Sequence, residues 1–89
     1  MKEFLESLGV TFAGYYDEKG NFIVDIPSAD EYAKVYSTFT NSDKLEEFDS
    51  VATEDLIIVK FDSLENDYEL SLVMDLEKDL YYVSVKGEN

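Results

Sequence analysis

Carboxylates are the one chemically loaded group that this chain carries in quantity. Its 89 residues hold 21 acids against 7 lysines, a net charge of −14, with no arginine, histidine, cysteine, tryptophan or glutamine. The stretch YELSLVMDLEKDLYY, Tyr68 to Tyr82, shows how the acids are placed. Every second residue, Tyr68, Leu70, Leu72, Met74 and Leu76, makes an apolar strand face. Between them fall Glu69, Ser71, Val73, Asp75 and Glu77, with Asp79 just past a turn.

These acids have few ways to act as catalysts. Without histidine or cysteine, only carboxylate, lysine, tyrosine, serine and threonine groups are available for proton transfer or nucleophilic attack. Acidic pairs such as Asp30–Glu31 and Glu46–Glu47 are sequence neighbours and point apart on a helix. A glycosidase-type carboxylate pair needs a cleft, and 89 residues leave little chain to build one. No enzymatic activity is expected. DSLENDYE brings Asp62, Asn66 and Asp67 together as in a calcium loop, but Leu64 occupies the third position and Asp67 stands where glycine is needed. Neither a dedicated metal site nor a cofactor is expected, and no glycine-rich phosphate loop or basic patch is present.

What remains for the carboxylates is recognition. A net charge of −14 exceeds the magnitude of about 2–8 usual in small soluble designs. It excludes nucleic acid and anionic lipid as direct partners and favours fast, salt-sensitive association with a basic surface. Residues 43–89 hold 14 acids and 4 lysines, and residues 1–42 hold 7 and 3, so the charge is concentrated in the C-terminal half.

The length allows one domain, residues 1–89. The opening MKEFLESLGV places acids inside its short apolar stretch, unlike a signal peptide, and the longest aliphatic run, Leu56 to Val59, cannot span a bilayer. A cytoplasmic protein is expected. Phe4, Leu5 and Leu8 at helical spacing, followed by Gly9, predict a helix over 2–8. Val10, Phe12 and Tyr16, the turn DEKG, then Phe22, Val24 and Ile26 predict a hairpin. Ser28 and Glu31 read as a capping box, opening a helix with Tyr32, Val35, Tyr36 and Phe39 on one stripe. TNSDKLEEF reads as a further short helical turn with Leu45 and Phe48 facing inward. Residues 56–61, 68–76 and 80–86, joined by SLEND and EKD, predict three more strands.

The expected fold is α+β: about five antiparallel strands with two or three short helices on one face, in the order α-β-β-α-(α)-β-β-β. On this layout Glu69, Asp75 and Glu77 lie opposite the core, Asp62 joins them from the neighbouring strand, and Glu65, Asp67 and Asp79 stand in turns. Same-face residues on a strand repeat at roughly 6.8 Å, similar to the separation of successive phosphates along a nucleic-acid strand. Any wet strand has this pitch, so the argument rests on the number of acids, their clustering and the missing arginines. Exposed tyrosines, among them Tyr15 and Tyr82, suit a protein-binding face.

In size, charge and layout the chain resembles the small acidic phage-encoded nucleic-acid mimics: anti-restriction proteins, uracil-glycosylase inhibitors and several anti-CRISPR proteins. The resemblance spans the whole chain, contains no shared motif and transfers no residue. It implies an inhibitor acting in the cytoplasm of a bacterial host on a basic nucleic-acid-binding protein, a nuclease such as a CRISPR effector, by filling its DNA- or RNA-binding groove. Asp62, Glu65, Asp67, Glu69, Asp75, Glu77, Asp79 and Tyr82 are the expected contacts, carboxylates engaging the arginines that read DNA. An immunity protein or antitoxin neutralising a basic nuclease toxin would use the same physics. An acidic protein-binding domain without mimicry is the third alternative.

Overall fold

The computed structural model describes residues 1–87 and is α+β, with two helices and a six-stranded antiparallel sheet. The elements run α1 (Lys2–Ser7), β1 (Gly14–Tyr16), β2 (Phe22–Ile26), α2 (Ala29–Thr40), β3 (Leu45–Ala52), β4 (Leu56–Ser63), β5 (Tyr68–Asp75) and β6 (Leu80–Gly87). Across the sheet the order is β1-β2-β6-β5-β4-β3. The C-terminal meander β3–β6 therefore lies strand beside strand, and the N-terminal hairpin docks onto β6.

The structure departs from the sequence expectation at several points. The sheet has six strands, because the segment read as a helical turn is the edge strand β3. Its Leu45 is buried, but Phe48 is 48% exposed and not inward. The register shifts between Glu47 and Asp49, so Phe48 is the extra residue of a β-bulge. Second, Ser28 accepts a hydrogen bond from the Glu31 amide (3.2 Å), but the Glu31 carboxylate turns to Lys34 at 3.4 Å. Only one half of the capping box forms.

Register defines the two faces. Phe22, Val85, Leu70, Phe61 and Glu47 lie in one row, and Val24, Val83, Leu72, Val59 and Ser50 in the next. The apolar members of these rows form the core with Leu5 and Leu8 near α1 and with Tyr32, Val35 and Phe39 of α2. Both helices thus cover the same face. Phe39 meets Phe61 edge-on at 5.5 Å, and the Tyr32 hydroxyl donates to the Leu72 carbonyl at 3.4 Å. Tyr36, expected on the buried stripe, is exposed at its margin, and Leu76 leaves β5 for an exposed turn. Among the described residues no helix is long and apolar enough to cross a membrane.

Candidate functional site

The face of the sheet away from the helices carries the alternate residues, and the register sorts them into rows. One row is Glu46–Asp62–Glu69–Lys86, crossing β3, β4, β5 and β6. Neighbouring strands are roughly 4.8 Å apart, so three carboxylates stand side by side with a lysine only at the far end. The next row is Asp49–Lys60–Ser71–Ser84–Ile23–Tyr15. Beyond it comes an apolar row, Val51–Ile58–Val73–Tyr82, ending at Asp25. Val73 is only 4% exposed although no helix covers it, because Ile58 and Tyr82 flank it on either side. Leu56, Asp75 and Leu80 make the last row.

The eight sequence-predicted contacts fall into two groups. Asp62 and Glu69 are cross-strand neighbours, with Glu65 and Asp67 in the adjoining turn of residues 64–67. Asp75 and Tyr82 lie diagonally on the other end of the face, near the turn of residues 76–79 that holds Glu77 and Asp79. Glu69 and Asp75 are separated by six residues of strand, roughly 20 Å. The ribbon of acids is therefore two acidic ends with Ser71 and Val73 between them.

The two ends differ chemically. Asp75 Oδ1 accepts the Lys78 amide at 3.0 Å, and Asp79 Oδ1 accepts the Tyr81 hydroxyl at 3.2 Å. That hydroxyl bond, followed by partial burial and the Asp79 charge, raises the Tyr81 pKa. Tyr82 is raised chiefly by burial, then by the nearby charge of Asp75 and by Tyr15. At the other end, among the described residues, no hydrogen bond or ion pair engages the carboxylates of Glu46, Asp62 or Glu69; the ion pair found is Lys34–Glu31 on α2. Like charges opposite one another on a sheet destabilise it. No group of acids among the described residues is arranged to hold a metal ion.

Sequence reasoning missed Glu46, because its segment was read as helix. It also missed a shallow hollow of about 290 Å³ on the same face, lined by Tyr15, Asp17, Ile23, Asp25, Leu80 and Tyr82. Strand alternation and the hairpin register place Tyr15, Ile23 and Asp25 on one face. The pairing of β2 with β6, which no sequence pattern reveals, sets Asp25 beside Tyr82. No protein-family model, curated protein or solved structure matches this chain.

Proposed function

We propose that the chain is an acidic inhibitor that occupies the nucleic-acid-binding groove of a basic nuclease, with a CRISPR effector as the leading target class. The observation that carries this reading is the row Glu46–Asp62–Glu69, which sets carboxylate against carboxylate across three strands with no internal cation between them. A surface that needed only solubility has no reason to bear that repulsion, since the same acids dispersed would serve. A groove lined with arginines removes it, because each carboxylate gains charge-assisted and bidentate partners there. Asp62, Glu65, Asp67 and Glu69 then form one contact end, joined by Glu46. Asp75, Glu77, Asp79 and Tyr82 form the other.

Competition with DNA tests this. A labelled duplex carrying the target motif is bound to a guide-loaded Cas9-type effector, and separately to a restriction endonuclease, and the protein is titrated in. Displacement that weakens steeply between 50 and 300 mM salt, and that is abolished by combining Glu46→Lys, Asp62→Lys and Glu69→Lys, is the expected result. Displacement indifferent to those reversals, or none from any DNA-binding nuclease tried, would overturn the reading. Displacement confined to a nuclease toxin would instead make the chain an immunity protein.

A further inference from the structure

The hollow at the β1–β2–β6 corner has a composition unlike the rest of the acidic surface. Tyr15 on β1 and Tyr82 on β6 stand on either side of β2, their strands roughly 10 Å apart. Between them β2 presents Ile23, opposite Tyr15, and Asp25, opposite Tyr82. Leu80, half exposed, closes one end and Asp17 the other. The two carboxylates are not equivalent. Asp17 holds the β1–β2 turn: its Oδ1 accepts the Lys19 and Asn21 amides, both at 2.9 Å, and its Oδ2 the Asn21 side-chain amide at 3.3 Å. Partial burial raises the Asp17 pKa, but these bonds outweigh it and hold the carboxyl below its ordinary range. Among the described residues no such bond engages Asp25, which keeps both oxygens free.

We propose that this hollow receives a single arginine side chain projecting from the basic protein partner. A planar guanidinium stacks on tyrosine faces and is weakly hydrated, while its alkyl stem needs an aliphatic floor. The hollow supplies two tyrosines, Ile23 and Leu80 for the stem, and one carboxylate able to accept a fork of N–H donors. A volume of about 290 Å³ falls just short of the roughly 300–1,000 Å³ of small-molecule sites, which suits one long side chain rather than a cofactor. The chain's −14 charge selects a cationic occupant over an apolar one and disfavours a second copy of itself. The proposal rests on the reading above only in taking the partner to be a basic protein.

The test separates the two. The ¹⁵N-labelled protein is titrated with N-acetyl-arginine amide, and in parallel with the lysine and citrulline amides, while backbone shifts are followed. Arginine is expected to move Tyr15, Ile23, Asp25 and Tyr82, lysine to do so more weakly, and citrulline not at all. Asp25→Asn, an isosteric change at an exposed position, should weaken the arginine response about tenfold or more, the worth of a hydrogen bond to a charged group. Tyr15→Ala, on an exposed edge strand, gives a second variant whose spectrum reports its own folding. Arginine shifts that centre on Glu46, Asp62 and Glu69, that survive Asp25→Asn, or that are absent at tens of millimolar overturn the proposal. Glu46→Lys with Glu69→Lys should abolish DNA competition yet leave the arginine response at the hollow, so either reading can fail without the other.

Discussion

Gly14 is fixed by its neighbours rather than by its own backbone angles. A Cβ there would sit 2.6 Å from the Phe22 ring and 2.8 Å from the Ile23 carbonyl oxygen. The Phe22 ring lies over Gly14 and packs on Tyr16 at 5.0 Å, so the glycine is what lets β1 approach β2. Gly14→Ala should cost about 1–3 kcal/mol through overpacking, read as a lower urea midpoint. An unchanged midpoint would mean that β1 is free to shift away from β2. Asp79 makes the complementary case. Its φ of +55° lies in the left-handed region, which costs an ordinary residue about 1–2 kcal/mol and which asparagine and glycine visit readily. Asp79→Asn should leave the melting temperature near the parent value, and Asp79→Ala should lower it. Equal stability in the two would show that the turn does not need its backbone conformation. For probing partner contact at this position, asparagine is therefore the informative replacement.

At the scale of the element, α2 was legible and β3 was not, for one physical reason. Period is visible only where one face of an element is buried. In α2 the recurrence of Tyr32, Val35 and Phe39 matches the side chains that the helix buries, and the interior strands β4 to β6 bury their alternate residues in the same way. In β3 every residue after Leu45 is exposed, so no alternation is written into it. The bulge at Phe48 then spaces Leu45 and Phe48 like a helical pair. The joint between α2 and the sheet can be tested at Tyr32, whose phenol is buried against the Leu72 carbonyl and Tyr81. Burial, with a smaller contribution from Tyr36, pushes its pKa up to about 12 from 10.0. The folded state favours the neutral phenol, so the stability it confers is whole below pH 10 and is lost as pH rises from 10 towards 12. Urea midpoints should fall across that range, and Tyr32→Phe should make the fall shallower; Tyr81 and Tyr82, also raised, keep it from vanishing. An identical slope in the phenylalanine variant would mean that Tyr32 ionises without unfolding the joint.

At the scale of the whole molecule, the charge sets stability against the proposed function. The count of acids and their weighting toward the C-terminal half could be read from the sequence, but their opposition across strands could not, because it depends on which strands pair and in what register. Asp62 sits at the centre of that opposition, facing Glu46 on one side and Glu69 on the other. Asp62→Lys replaces two like-charge pairs with two opposite-charge pairs, each contributing about 0.2–1 kcal/mol on a sheet. The substituted protein should therefore melt higher than the parent at low salt, with a gain that shrinks as added salt screens both the repulsion removed and the attraction created. Salt alone should raise the parent's melting temperature for the same reason. If the acidic row serves an arginine-lined groove, the same substitution should weaken competition with DNA. A variant at once more stable and a poorer inhibitor is the signature of residues retained at a cost to the fold. If Asp62→Lys were destabilising, the row would be relieved by contacts other than simple opposition. If it were stabilising with competition intact, the row would lie outside the contact surface, and only the end holding Asp75, Glu77, Asp79 and Tyr82 would remain to carry it.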